Sequence, residues 1–308
     1  MVRMTFKRVF HTLLVIFAVS TFVFWFLRIS GDPVALLMPM DANKQDVEAL
    51  RKSMGLNDPQ YVQYVRFLKN LCKGELGNSF HYKQPALELL VERMPATFQL
   101  ALSAMLFAVM MGIPLGIISA VKQGKALDAL CVGLATIGQS IPLFWLGLML
   151  MLIFSVFLGI LPTSGRGTLK QLILPTITLG ALPMAAIVRL LRASMLTALQ
   201  MDYVTAARAK GVREFWVVVK HAFRNAAIPV VTFIGLQFGA LFGGAVVTEM
   251  IFAWPGVGRL VVLAIYNRDY PLVQATVIFL STIFVTVNFV VDLLYRLLDP
   301  RVRVGGTK

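Results

Sequence analysis

The chain has 308 residues, 58% of them hydrophobic, and its mean hydropathy is +0.77. That excess of apolar sequence excludes a soluble globular domain and points to an all-α integral membrane protein. The formal net charge of +14 sits in segments between apolar runs, so it reports membrane topology rather than nucleic-acid binding.

Taken in order, six stretches lack Asp, Glu, Lys and Arg and are long enough to cross a hydrocarbon core of ~30 Å. They are residues 9–27, 94–121, 129–165, 171–188, 225–248 and 270–291. The first follows Arg3, Lys7 and Arg8 but is too long for a signal-peptide core and precedes no small-residue cleavage site, so it reads as an uncleaved span. Pro142 interrupts the third, which is expected to hold one span ending in the turn 161–165. Pro175 and Pro183 predict a kinked or tilted fourth span. Basic residues sort by side. Arg3, Lys122, Lys125, Arg189, Arg192, Arg301 and Lys308 belong to segments on one side, with the dense cluster at 208–224. The short loops opposite carry only Arg166, Lys170, Arg259 and Arg268. This bias predicts six transmembrane helices with both termini in the cytoplasm. Cys72 and Cys131 then fall on opposite sides of the membrane, which argues against an internal disulfide.

The chain thus divides into a cytoplasmic N-terminus and first span (1–28), an external insert (29–93), and a five-helix core (94–308). The insert has nearly balanced charge and should be partly helical. Asn43 to Met54 is expected as a helix stopped by Gly55. A second is capped by Asp58 and followed by Gly74, and a third short one covers Pro85 to Met94. Trp254-Pro255-Gly256-Val257-Gly258 reads as a tight loop at the membrane interface, its glycines permitting positive φ. Leu260 to Ile265 is too short to span and reads as an external interfacial or re-entrant turn.

Residues 201–225 form the longest polar interruption in the second half of the chain, with Arg208, Lys210, Arg213, Lys220 and Arg224 against only Asp202 and Glu214. Asp202 can cap a helix starting near Tyr203, and Gly211 can end it in a left-handed turn. A second helix fits Arg213 to Phe223, with Phe215, Val218, Val219, Ala222 and Phe223 at helical spacing. Two short helices meeting at a glycine make a bent element. It can dock into a partner's cleft, or rest on anionic lipid headgroups.

No Gly-x4-Gly-Lys-Ser/Thr occurs, so nucleotide binding by a P-loop is not expected, and no His-Glu-x2-His or Gly-x-Ser-x-Gly is present. His11, His81 and His221 lie in three different segments and form no metal site, and no catalytic set is assigned. Polar groups within the apolar runs are few: Gln99, Gln139, Gln237 and Asn288, with Arg189, Glu249 and Asp292 at the edges. Gln237 and Asn288 are the candidates for lining a translocation path, while each can also serve an interhelical hydrogen bond. Gly235, Gly239, Gly243 and Gly244 fit close helix packing, and the fifteen methionines fit packing rather than metal passage.

Thr205-Ala206-Ala207, three residues, then Gly211 resembles the cytoplasmic loop signature of ABC importer permeases, with Thr205 in place of the usual Glu. His221-Ala222-Phe223-Arg224-Asn225-Ala226 with Pro229 is similar to the peptide/nickel branch of that family. So are Gly31-Asp32-Pro33, Gly55-Leu56-Asn57-Asp58-Pro59, Gly74 to Ser79, Pro95-Ala96-Thr97, Phe252 to Gly258 and Arg268 to Gln274, which are collinear.

The resemblance implies an inner-membrane, multi-pass permease of a binding-protein-dependent importer for di- or oligopeptides, with nickel, metal chelates or glutathione as alternative cargo. It implies a second homologous six-span permease, two ATPase subunits that hold ATP and Mg, and an external solute-binding protein, with lipid around the spans and no cofactor in this chain. Ala206, Ala207, Gly211, Phe215, His221, Arg224 and Asn225 would then couple the chain to the ATPases. An ion-driven secondary transporter is the remote alternative. It would want charges at mid-membrane and an internal repeat, and neither is visible.

Overall fold

The structure is a computed structural model that describes residues 2–29, 34, 43–53 and 55–298. The Gly31-Asp32-Pro33 block and the basic residues Arg301, Arg303 and Lys308 lie outside the described residues. All regular elements among the described residues are helical: α1 (Val2–Ile29), α2 (Lys44–Ser53), α3 (Gln60–Cys72), α4 (Ala86–Val121), α5 (Ala126–Ser140) and α6 (Leu143–Met151), which continues as a π-helical turn over Leu152–Phe157. Then come α7 (Leu169–Leu199), α8 (Asp202–Ala209), α9 (Glu214–Trp216) with a π-helical turn Val217–Ala222, α10 (Phe223–Ile251), α11 (Val257–Tyr266) and α12 (Tyr270–Leu298).

Among the described residues, four helices are long and apolar enough to cross a membrane: Ala86–Val121, Leu169–Leu199, Glu214–Ile251 and Tyr270–Val291. Helices α5 and α6 make a fifth if counted as one broken span. They bend by 105° at Ile141-Pro142, the break that Pro142 predicts. Proline has no N–H to continue the ladder and pushes the residue before it out of the helical region, and Ile141 is extended at φ −82°, ψ 126°. Helix α7, by contrast, runs through both Pro175 and Pro183 as one 31-residue helix.

Several expected boundaries are corrected. Asp58 does not cap α3. Pro59 occupies the cap, and Asp58 instead accepts from Arg66 at 2.5 Å. The separate helix expected over 85–94 is the start of α4, which runs on through Pro95. The segment 260–265, expected as an interfacial or re-entrant turn too short to span, lies within a ten-residue apolar helix, α11. In the 252–258 loop the positive φ falls on Ala253 (+47°), while Gly256 is extended at φ −99°. Trp254 packs inside the protein. It is 1% exposed and donates its indole N–H to the Ala96 carbonyl at 2.8 Å. Gly55, Gly74 and Gly211 do adopt the left-handed φ values, +65°, +80° and +78°, that their helix-ending positions predict.

The chain forms two compact units. One comprises residues 1–95 and 256–286. Ala86, Leu89, Leu90, Val257, Leu260, Ala264 and Leu272 make its core. Phe24 packs against Tyr64 and Phe67 with ring centroids 5.0 and 5.4 Å away. The turn 79–81 is held by the fully buried Asp269, which accepts from the Ser79 hydroxyl and from the Phe80 and His81 N–H groups at 3.1 Å each.

The other unit comprises residues 96–255 and 287–308. Helix α7 is its most buried apolar helix. Small residues let backbones meet, since a Cβ at Gly180 would lie 2.7 Å from the Ala104 carbonyl oxygen, and one at Gly112 would lie 2.8 Å from Ile187. Gly235 and Gly239 face Val291 and Asn288 in the same way, and Gly244 approaches Leu179. Gly243 has no neighbour within 4 Å.

Candidate functional site

The 201–225 segment folds into a bent foot built on the end of α7. Met201, not Asp202, takes the N-cap position of α8, with φ −76° and ψ 148°, and no side chain caps the helix. Asp202 is instead the first helical residue, where a carboxylate still favours the positive end of the helix dipole. The bend comes at Gly211. Its N–H donates to the Arg208 carbonyl at 2.9 Å and the Val212 N–H to the Ala207 carbonyl at 3.2 Å, closing the last turn. The second limb is not the separate helix expected over 213–223. It opens as α9, widens into the π-helical turn 217–222 and continues unbroken into α10.

Burial divides the foot into two faces. Val204, Ala207, Val217, Val218 and Ala222 turn inward and share a core cluster with Ile187, Leu191, Met195 and Ala198 of α7. The other face is exposed: Ala206, Gly211, Arg213 and Lys220, with Phe215 and Trp216 at 66% and 52% exposure. The two rings meet edge to face at 5.4 Å. Two large adjacent aromatics left exposed among charged residues mark a candidate interaction surface. Across the bend Arg208 donates to both Glu214 carboxylate oxygens, at 3.1 and 2.7 Å. That contact holds the Arg208 guanidinium pKa above its ordinary value. Both side chains are exposed, so the pair orients the limbs more than it stabilises them.

The candidate coupling residues therefore separate. Ala206, Gly211, Phe215, Arg224 and Asn225 are exposed, His221 is half-buried in the π-helical turn, and Ala207 faces the core. Of the apolar residues at helical spacing, Val218 and Ala222 are buried, Phe223 is half-buried, and Phe215 and Val219 are exposed. Trp216 was not singled out by spacing. Its signal is its place beside Phe215 in an otherwise charged segment.

In the same unit lies a cavity of 460 Å³ at the α5–α6 break, lined among others by Gln139, Pro142, Thr178, Pro183, Gln237 and Gly244. No ionisable side chain is among the residues that line it. Of the two path candidates, Gln237 lines this cavity. Asn288 does not, and its amide lies where a Cβ on Gly239 would be, 3.2 Å away. Gln139 is the cavity's second amide. Among the described residues no three His, Cys, Asp or Glu side chains gather as metal ligands.

Sequence reasoning also missed a partly buried ion pair. Asp128, 6% exposed, accepts from Arg192 through both oxygens at 2.8 Å, from the Ser119 hydroxyl at 2.5 Å and from the Gly124 N–H at 3.0 Å. Asp128 is the one acidic residue between Met94 and Met201, a signal that was there to be read.

Membrane-length helices, a largely apolar cavity with two amides at a helix break, and an exposed foot are consistent with a membrane permease. Two family models agree. One, described as the binding-protein-dependent transport system inner membrane component, matches residues 112–304; the other, for the N-terminal part of such membrane components, matches residues 1–101. The chain belongs to this family, and it is an inner-membrane ABC importer permease. The chain is 43% identical over 298 residues to the glutathione transport system permease protein GsiC of Escherichia coli strain CFT073, covering 96% of this chain and 97% of that one. It is 42% identical to GsiC of Escherichia coli strain K12 with the same coverage. Among solved structures, the methionine ABC transporter MetNI in inward-facing conformations matches with a TM-score of 0.59 at 21% identity, over 69% of this chain and 97% of that one. An amino acid ABC transporter matches with a TM-score of 0.54 at 15% identity, over 70% of this chain and 94% of that one. These two show the fold alone. Membership of the family implies a further permease, an ATPase and a binding protein as partners.

Proposed function

We propose that this chain is one of two six-span permeases that together enclose the pathway, with both termini in the cytoplasm and residues 29–93 outside as a landing surface for the binding protein. The core 94–308 carries the cargo past the cavity at the α5–α6 break. ATP and Mg belong to two partner ATPases, and this chain contributes the foot that they move. The exposed Phe215-Trp216 pair, ringed by Arg213 and Lys220 on a foot whose inner face is fixed to α7, carries this reading. A foot adapted only to rest on lipid would not need its apolar inner face locked to a span.

The cargo is a short peptide. The GsiC relatives are named for glutathione, itself a tripeptide, and the amides of Gln139 and Gln237 on the cavity wall can hydrogen-bond a peptide backbone. Placing a photo-crosslinking residue at Phe215 in the assembled transporter tests the docking role. Crosslinks to an ATPase subunit are expected, and crosslinks to lipid alone would overturn it. For the cargo, calorimetry on the cognate binding protein should give tight binding of glutathione or a di- or tripeptide; binding of nickel alone would overturn the peptide reading.

A further inference from the structure

The Asp128–Arg192 pair does more than fill a polar gap. Arg192 lies on α7 next to Leu191, and Leu191, Met195 and Ala198 form one core cluster with Val204 and Ala207 of the foot. Asp128 lies in the first turn of α5. From there α5 runs along α7: Ala135 packs on Ala185 and Val188, and a Cβ on Gly138 would lie 3.5 Å from the Ala181 carbonyl oxygen. About 18 Å beyond Asp128, at 1.5 Å per residue, α5 ends at Ser140, next to Gln139 and the break that line the cavity. The foot, the pair and the cavity therefore lie along a single run of contacts.

The pair's geometry suits a joint. A bidentate guanidinium–carboxylate contact resists both sliding and rotation, which van der Waals packing along an apolar seam does not. Ser119 and the Gly124 N–H satisfy the remaining carboxylate valences, so the ends of α4 and α5 are held together at the same point. A partly buried pair of this kind, with Arg192 28% exposed, adds little net stability, so its presence is open to another role. The geometry points to Asp128 and Arg192 as a positioning couple that transmits movement of the foot through α7 to α5 and so reshapes the α5–α6 break around the cavity. This rests on the proposed docking of the foot on the ATPases.

The test uses the complete transporter in nanodiscs, with Cys72→Ser and Cys131→Ala and a reporter, Ala240→Cys, on the cavity wall. Two quantities are read: ATP hydrolysis, and the rate at which a maleimide labels the reporter with and without ATP and vanadate. With the pair intact, trapping should change the labelling rate. Asp128→Leu combined with Arg192→Met should keep ATP hydrolysis while the ATP-dependent change in labelling is lost. Arg192→Lys keeps a charge but not the two-pronged contact, and should show a reduced change with hydrolysis intact. An unaltered labelling change in the Leu/Met double variant overturns the inference. If that variant does not assemble, an unaltered change in Arg192→Lys overturns it and a reduced one supports it. Absence of any ATP-dependent change with the pair intact would instead overturn the docking of the foot, so the two failures are distinguishable.

Discussion

The Thr97 hydroxyl donates to the Glu249 carboxylate at 2.6 Å, and both residues are buried, at 1% and 0% exposure. They are 152 positions apart in sequence. Five residues on, Trp254 donates to the Ala96 carbonyl, so one end of α10 and the loop after it are tied to a single stretch of α4 by two polar contacts. Removing a donor to a buried acceptor exposes its desolvation cost without restoring water. Thr97→Val keeps the shape and deletes the hydroxyl, and should destabilise by about 1–3 kcal/mol. A lowered melting temperature of the solubilised protein is the expected result, with Thr97→Ser restoring most of the loss.

Asp269 holds two elements at once. Its side chain accepts from the Leu272 N–H at 3.3 Å, capping the first turn of α12, and it binds the 79–81 turn from the N-terminal half of the chain. Asp269→Ala removes the cap, worth ~0.5–2 kcal/mol, and also leaves the Phe80 and His81 N–H groups without their acceptor. Faster proteolytic cleavage within residues 73–85, with the membrane-length helices still protected, is the expected outcome. Asp269→Asn keeps an acceptor oxygen and should fall between the two.

Much of this was legible in the sequence, and the misses share a cause. Glycine positions were readable because φ is a local property: Gly55, Gly74 and Gly211 each end a helix in the left-handed region. The break at Pro142 was readable for the same reason. Helix starts were not. Asp58 and Asp202 have the residue type of a cap, yet Asp58 pairs with Arg66 and Asp202 enters the helix itself, because tertiary partners and the preceding turn decide which residue sits half-in. The foot's second limb was read as separate since Lys220, His221, Arg224 and Asn225 interrupt the apolar pattern. The backbone continues through Lys220 and His221 as a π-helical turn and through Arg224 and Asn225 as α10, while Val217, Val218 and Ala222 turn inward and Phe215 does not. Asp128 and Arg192 are 64 positions apart, and no local pattern could pair them.

Helix approach gives a sharper prediction. At Gly180 an added Cβ would lie 2.7 Å from the Ala104 carbonyl oxygen and 2.8 Å from the Phe107 ring. The first neighbour is backbone, so α7 must move as a whole to relieve the clash. Gly180→Ala should destabilise by roughly 1–3 kcal/mol, the range for overpacking a close interface. Gly243→Ala, on α10 with no neighbour within 4 Å, is the matched control and should be close to neutral. Comparing the thermal melting of the two variants checks the prediction directly.

Gly211 is the test of the foot itself. Its φ is +78° and no atom lies within 4 Å of where a Cβ would be, so a substitution there meets no steric contact and acts through backbone conformation alone. A left-handed conformation costs an L-residue roughly 1–2 kcal/mol, and β-branched side chains suffer most. Gly211→Val should relax φ to negative values and re-aim the 202–209 limb relative to the limb that carries Phe215. The inner contacts of Val217, Val218 and Ala222 stay with α7, so insertion and expression should be unaffected. Uptake should be abolished, and the ATPase subunits should be recovered in reduced amount when the complex is purified in mild detergent. Gly211→Asn, which tolerates the left-handed region, should retain much of the uptake. Normal transport in Gly211→Val would mean that the angle of the foot does not matter to coupling.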